Sequence, residues 1–130
     1  MTHPISDWIR KAESDWATML RESAVIDEPS YDAVCFHAQQ CAEKYLKARL
    51  VMAGIEFRYS HDLLYIHGLV LTVEPSWVFL HESLKKLSTY AVAARYPGID
   101  ATAEQAERAV EHCRVVRTTI RPALIVEDTP

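Results

Sequence analysis

The sequence predicts an all-α fold, an antiparallel up-and-down bundle of four to five helices. Its 3 glycines and 6 prolines fall between long segments in which apolar side chains recur at three- and four-residue steps. No Asn-Gly turn and no sustained alternation of apolar and polar residues indicates a hairpin. We expect one domain over residues 1–130, with a core from about 6 to 121 and a short disordered C-terminal tail.

The first helix is expected from about Ser6 to Ala24. Ser6 is a candidate N-cap, and Asp7 in the first turn interacts favourably with the positive end of the helix dipole. Trp8 and Trp16 belong to the apolar stripe of this helix. We expect both indoles in the core, with a subunit interface as the alternative.

The second helix is expected over Tyr31–Ala53, with Gly54 as the residue that ends it. A stripe as wide as the one on this helix indicates contact with several helices at once. The helix is therefore either central in the bundle or shared between the core and a subunit interface. The stripe comprises Val34, Ala38, Cys41, Tyr45, Ala48 and Met52, and beside them Cys35, Ala42, Leu46, Leu50 and Ala53.

Three further helices are expected after the second. The third begins near His61, with Ser60 as a candidate cap, and the fourth follows Ser76. Thr102 and Gln105 form a capping box that opens the fifth helix. The fourth helix carries apolar residues at heptad-like spacing: Trp77, Leu80, Leu84, Leu87 and Ala91.

Composition excludes several classes of function. The formal charge of -4 and pI near 5.8 leave no overall basic field of the kind that draws non-specific binders onto nucleic acid. The longest apolar stretch, residues 63–73, is interrupted by His67 and Gly68 and is shorter than the roughly 20 residues that span a bilayer. The first residues lack the pattern of a signal peptide, so we expect a cytoplasmic protein.

No metal site and no cofactor are predicted. The 6 histidines include no pair spaced one turn apart on one helical face, and the scattered glycines form no phosphate-binding loop. Cys35, Cys41 and Cys113 lack CxxC spacing and lie among apolar neighbours. We expect free, buried thiols that act as small hydrophobic groups, with metal or redox roles as the alternative.

The second helix carries the first candidate binding stretch. Gln40, Glu43, Lys44 and Lys47 lie along one edge of this helix, because residues three and four apart are neighbours. This edge is either a working site or a solvated surface. Glu43 and Lys47 favour the second interpretation, since their order suits a solvated i,i+4 ion pair.

The start of the third helix is the second candidate stretch. His61 and Asp62 lie where backbone N–H groups lack helical partners, so an imidazole there can take part in binding. In the structural alternative Ser60 caps the helix, Asp62 favours its dipole and His61 packs against a neighbour.

The third candidate stretch, "ARYPG", follows the fourth helix. Arg95 has the guanidinium that suits a phosphate or a carboxylate, and Tyr96 follows it. The structural alternative is an ion pair that pins the loop. Its candidate carboxylates are those of Asp15, Glu43 and Asp62.

The order of these stretches resembles the HEPN family in its prokaryotic stand-alone form. The matching motifs are "WIRKAESDWATML", "CFHAQQCAEKYLKARLVMAG", "SHDL" and "ARYPG", within a span from Trp8 to Arg121. The resemblance implies a helical bundle that is usually a homodimer and is often associated with a small nucleotidyltransferase. It also implies nucleotide or substrate binding in some members, and toxin–antitoxin pairs in others.

Ribonuclease branches of the family carry an arginine, four to six residues, and then a histidine. Here two residues separate Arg58 from His61 and three separate Arg108 from His112, so neither pair fits. We therefore expect a non-catalytic protein that binds nucleotide or polyphosphate, or that docks on a partner nucleotidyltransferase. The alternatives are a metal-independent ribonuclease, with His61 near Arg58 or Arg95, and a purely structural dimeric adaptor.

The resemblance carries nine residues over as ligand- or partner-binding candidates, and none as catalytic. A groove that holds Lys44, Lys47 and Arg95 would accept a triphosphate, with Tyr96 stacked on a base. The nine candidates are Asp15, Gln40, Glu43, Lys44, Lys47, His61, Asp62, Arg95 and Tyr96.

Overall fold

The computed structural model describes residues 3–124, and within them every regular element is helical. The predicted all-α bundle is thus confirmed, while the tail expected to be disordered lies largely outside the described residues. No helix between residues 3 and 124 is long and apolar enough to cross a bilayer. The α-helices are α1 (Ile5–Ser23), α2 (Tyr31–Ala53), α3 (Leu63–Val70), α4 (His81–Ala91) and α5 (Ala103–Ile120), with 3-10 helices at Pro75–Leu80 and Arg121–Ala123.

Local capping signals place the ends of α2 and α5 as predicted. The Ser30 hydroxyl accepts a hydrogen bond from the backbone N–H of Ala33, and Gly54 ends α2 in the left-handed conformation at φ 70°. At α5 both bonds of the capping box between Thr102 and Gln105 are present. These signals were sufficient to predict the helix ends from the sequence, because each depends only on residues within one turn.

The predicted cap of α1 is wrong. The helix begins at Ile5 behind Pro4, without a side-chain cap, and Ser6 lies inside its first turn. The carbonyl of Pro4 accepts the backbone N–H of Asp7 at 3.0 Å. Proline already holds its φ near the helical value, so the chain enters the helix at Ile5, one residue before the serine.

The predicted cap of α3 is also wrong. Asp62 precedes the helix, and its carboxylate accepts the backbone N–H groups of Leu64 and Tyr65 at 3.0 and 3.4 Å. Ser60 instead accepts the N–H of Asp62 at 3.0 Å and so shapes the approach to the helix. A carboxylate is favoured as the cap because its charge also interacts with the helix dipole.

The segment before α4 differs from the prediction as well. Residues Pro75–Leu80 form a 3-10 helix, and α4 starts only at His81. Trp77 and Leu80 are nevertheless buried, as the apolar spacing predicted. The predicted and observed burial agree because residues three apart also lie on one side of a 3-10 helix.

Helix α2 is the centre of the bundle. It packs against α1, α3, α4 and α5, which confirms the prediction drawn from its wide apolar stripe. Cys35, Cys41 and Cys113 are free and buried in this core, as predicted. Burial raises the pKa of the Cys35 thiol to about 11, so this thiol is protonated and behaves as a small apolar group.

An ion pair between helices distant in sequence closes one side of the bundle. Arg117 on α5 donates two hydrogen bonds to the Glu13 carboxylate on α1, at 2.8 and 2.7 Å. The Tyr45 hydroxyl on α2 donates to the same carboxylate, and the guanidinium lies over the Trp16 ring at 4.6 Å. The Arg117 hydrogen bond is the main cause that holds the pKa of Glu13 below its ordinary value, against the opposing effect of burial.

We expect Glu13→Gln to lower the free energy of unfolding at pH 7 by about 1–2 kcal/mol, because a charge-assisted hydrogen bond is lost. The lowered pKa means that the ionised carboxylate stabilises the fold above its unfolded pKa of about 4.3 and loses this effect as the pH falls further. Urea unfolding between pH 7 and pH 3 should therefore show the difference from wild type shrinking in acid. Glu104→Gln, in an exposed pair, is the control. A difference that stays constant with pH would contradict this assignment.

Candidate functional site

The polar edge of α2 divides into two clusters, of which the first contains Lys44. Its ammonium donates to the Asp15 carboxylate on α1 at 2.5 Å. His37, which the sequence did not single out, contacts the other oxygen of Asp15 through Nδ1 at 2.8 Å. His37 lies two turns before Lys44, so their shared helical face was the available signal. The charge of Lys44 is thus balanced inside the protein.

The second cluster centres on Glu43, a residue that is only 2% exposed. It accepts hydrogen bonds from Gln39 Nε2 at 3.2 Å and from Lys47 Nζ at 3.1 Å. His61 Nδ1 lies 3.0 Å from both carboxylate oxygens. The interpretation of this edge as solvated is wrong for Glu43 and Lys47, although the i,i+4 pair itself is present.

Three aromatic rings explain why Lys47 is buried. Its ammonium lies 5.7 Å from the ring centroids of Trp8 and Phe57 and 5.8 Å from that of Tyr59. These distances are in the range of cation–π attraction. Beside the ammonium, Trp8, Ile55, Phe57 and Tyr59 line a groove of about 620 Å³, which we call the aromatic groove.

His61 is positioned through both ring nitrogens. Its Nδ1–H donates to the buried Glu43 carboxylate, so in the neutral imidazole Nε2 is the acceptor. The Tyr59 hydroxyl lies 3.0 Å from that Nε2 and can donate to it. The imidazole itself is 46% exposed, so a buried carboxylate holds a ring that solvent can reach.

A second groove, of about 320 Å³, runs past this imidazole. It is lined by Gln39 on α2, His61, Asp62 at the start of α3, Ser88 on α4 and Arg95 just after α4. We call it the His61–Arg95 groove. Helix α2 and the ends of two other helices therefore build one concave surface.

Arg95 has no ion-pair partner in this groove. Its guanidinium makes no pair within 4.0 Å with any carboxylate among residues 3–124, so the alternative of a pinning ion pair is wrong there. The three carboxylates proposed for that role are used elsewhere: Asp15 by Lys44, Glu43 by Lys47, and Asp62 as the cap of α3.

The nine candidate residues do not form one site. His61, Asp62 and Arg95 come together in the His61–Arg95 groove, with Glu43 directly behind the imidazole. Lys44 and Lys47 do not line it, so the expected cradle of two lysines and an arginine is not formed. Of the remaining candidates, Gln40 donates to Gln39 at 2.7 Å, Tyr96 is exposed outside the groove, and Asp15 belongs to the Lys44 cluster.

The near match to the ribonuclease spacing lies on α5. Arg108 and His112 line one groove between α4 and α5, but Arg108 pairs with Glu104 at 2.5 Å and His112 Nδ1 contacts Ser83 Oγ at 3.0 Å. Burial lowers the pKa of His112, and nearby cations add to the effect. Glu111 also lines this groove, and like Glu104 it would repel a phosphodiester.

Residues 3–124 contain no group of three or more histidine, cysteine, aspartate or glutamate side chains placed to hold a metal ion. The polar clusters are joined by nitrogen and hydroxyl donors that face carboxylates.

We expect Lys47→Met to cost about 3 kcal/mol of unfolding free energy, because it leaves the Glu43 carboxylate buried with one cation fewer. Lys44→Met is the matched control, and we expect about 1 kcal/mol there, since Lys44 is more exposed and His37 still contacts Asp15. Urea unfolding measures both. In the double variant Glu43→Gln with Lys47→Met, part of the loss should be recovered. Equal costs for the two lysines would refute the assignment of a buried pair.

Comparison with known proteins identifies the family. The sequence model of the HEPN domain matches residues 5–122. The crystal structure of ST0689, an archaeal HEPN homologue, superposes with a TM-score of 0.69 at 22% identity, covering 95% of this chain and 100% of that chain. None of the curated proteins matches the sequence significantly. The resemblance seen in the motifs is thereby confirmed, and the chain belongs to the HEPN domain family.

Proposed function

We propose that this HEPN protein binds the phosphate group of a nucleotide in the His61–Arg95 groove and does not cleave it. One observation carries the proposal: Arg95 is an exposed residue whose guanidinium has no ion-pair partner in residues 3–124, beside an imidazole held in place by a buried carboxylate. A guanidinium can bind phosphate oxygens through two parallel hydrogen bonds.

One further group in the groove supports a phosphate. The Ser88 hydroxyl adds a hydrogen-bond donor, whereas the N–H groups of the Gln39 amide are already donated to the Glu43 carboxylate and to the carbonyl of His61. Asp62 is an anion there, but its carboxylate already accepts two backbone N–H groups of α3, and the helix dipole offsets its charge. The balance of charge in the groove therefore favours a ligand with one phosphate group.

Net charge favours a small ligand over a polymer. The chain carries a formal charge of -4, and several of its exposed carboxylates lie on the α4–α5 surface. A long nucleic acid would meet this field over many phosphates, whereas a mononucleotide meets only the groove. The proposal therefore concerns a nucleotide and not a long RNA.

The alternative of a purely structural adaptor explains the contacts of some of the same residues. Lys44 pairs with Asp15 and Lys47 pairs with Glu43, as an internal network would require. Within the described part of the chain Arg95 takes part in no such pair, and this difference favours a ligand at that position. Homodimerisation, docking on a nucleotidyltransferase and membership of a toxin–antitoxin pair stay predictions that the resemblance implies.

Calorimetric titration with AMP, GMP, CMP and UMP tests the phosphate site. We expect at least one of them to bind, and Arg95→Ala to weaken it about 10- to 100-fold, as for the loss of a hydrogen bond between charged groups. Lys44→Ala is the control and should leave the affinity unchanged, because Lys44 is paired with Asp15 outside the groove. Binding that is absent, or equally weakened by both changes, would overturn the proposal.

A ribonuclease remains the second candidate, because His61 and Arg95 share one groove. In RNA cleavage an imidazole would transfer the proton while a guanidinium stabilises the phosphate charge. Arg58 is a poorer partner for His61, since its guanidinium lies over the Tyr65 ring at 3.8 Å from the centroid and does not line the groove.

We expect structured and unstructured RNA to stay intact when incubated with the purified protein in the presence of EDTA. The physical reason is that Nε2 of His61 is occupied by the Tyr59 hydroxyl, and the net charge disfavours RNA. Gel analysis of the products provides the measurement. Cleavage that disappears in both His61→Ala and Arg95→Ala would establish the enzyme and refute the non-catalytic assignment.

A further inference from the structure

We propose that the aromatic groove takes the base of the bound nucleotide, with Tyr59 as the wall between the base and the phosphate. This inference rests on the proposed function, which supplies the phosphate end in the His61–Arg95 groove. The motifs contain Trp8 and Lys47 but did not indicate the aromatic groove, because its other aromatic walls come from the segment between α2 and α3.

The groove has the surfaces that a planar ring requires. Trp8 and Phe57 meet edge to face, with centroids 6.3 Å apart and planes at 65°, and Tyr59 stands beside them with 85% of its surface exposed. Flat heteroaromatic rings stack on such side chains with little dependence on their exact chemistry. Ile55 adds apolar surface to the same groove.

The groove also has hydrogen-bond donors without acceptors. An ammonium carries three N–H groups, and the hydrogen bond of Lys47 within residues 3–124 is the one to Glu43. The Nε1 of Trp8 is buried and has no partner among the same residues. The indole nitrogen is shielded from the groove, so the Lys47 ammonium, which lines the groove, is the donor that indicates a ligand with acceptors on its edge.

The charges around the aromatic groove further restrict the class of ligand. Glu56 lies at the groove and opposes a second anionic group there, while Lys47 is already balanced by Glu43. A neutral ring with nitrogen and carbonyl acceptors satisfies the donors without adding charge. Nucleobases have this chemistry, whereas an aliphatic chain offers no acceptor to the remaining N–H groups of Lys47.

The two grooves are joined through Tyr59. Its ring lines the aromatic groove, and its hydroxyl reaches His61 Nε2 at 3.0 Å, with the two ring centroids 5.1 Å apart. A base in one groove and a phosphate in the other would therefore lie on either side of one aromatic ring, with the sugar passing over it. Glu43 links the two sites from beneath, through Lys47 and His61.

Substitutions at Tyr59 test the base site without disturbing the core, because this side chain is exposed. Titrations compare AMP, GMP, CMP and UMP with ribose 5-phosphate, which lacks the base. We expect the best monophosphate to bind about 10-fold more tightly than ribose 5-phosphate, as one stacked base allows. Tyr59→Ala should remove most of this difference, whereas Tyr59→Phe, which keeps the ring, should retain it.

Tryptophan fluorescence gives an independent readout of the same event. Saturation with the best monophosphate should change the emission of the wild-type protein, and Trp8→Phe should abolish that change. Trp16→Phe is the matched control, because Trp16 lies against Arg117 away from the groove, and it should retain the change.

The outcomes separate this inference from the proposed function. If monophosphates bind no more tightly than ribose 5-phosphate while Arg95→Ala weakens both, the base site is overturned and the phosphate site stands. A nucleoside without phosphate (adenosine, guanosine, cytidine or uridine) can change Trp8 emission while Arg95→Ala leaves the affinity of every phosphate-bearing probe unchanged. In that case the phosphate site is overturned and the aromatic groove stands. If none of these probes binds, both are overturned.

Discussion

The arrangement of both grooves depends on one buried carboxylate, that of Glu43. An ionised group in the interior is costly unless donors surround it, and Glu43 receives them from Gln39, Lys47 and His61. His61 lies 18 residues further along the chain, so this requirement ties the segment after α2 back onto the helix. The imidazole orientation and the aromatic enclosure of Lys47 both follow from that closure.

The two lysines on this edge show how position decides the use of a charge. Lys44 reaches across to α1 and is neutralised by Asp15, which adds an ion pair to the packing of these two helices. Lys47 is one turn further on, pairs along its own helix and has the rings of Trp8 and Phe57 around it. Arg95 follows α4, and no carboxylate among residues 3–124 lies within 4.0 Å of its guanidinium. This difference from the two paired lysines is what supports the proposed phosphate site.

Sequence reasoning succeeded where the deciding contacts are local. The capping box of Thr102 and Gln105 and the wide stripe of α2 needed only helical geometry, and both are present. It failed at Glu43 and Lys47, because periodicity identifies neighbours on a helix but not the loop that covers them. It wrongly placed the two lysines beside Arg95 for the same reason. The distance between α2 and the end of α4 depends on the tertiary fold, which periodicity does not give. His61, Asp62 and Arg95 were nevertheless selected from motif order, and the structure brings them together.

Binding and cleavage place different demands on the same imidazole. A general base needs a nitrogen free to take a proton from the attacking hydroxyl, at hydrogen-bond distance from it. In this fold Nδ1 of His61 is directed to Glu43 and Nε2 is met by the Tyr59 hydroxyl, so both nitrogens have partners before any ligand arrives. A phosphate held by Arg95 and Ser88 needs neither ring nitrogen of His61, whereas a base would first have to lose the Tyr59 hydroxyl from Nε2. The position of Tyr59 therefore supports the proposed binding of a phosphate over its cleavage.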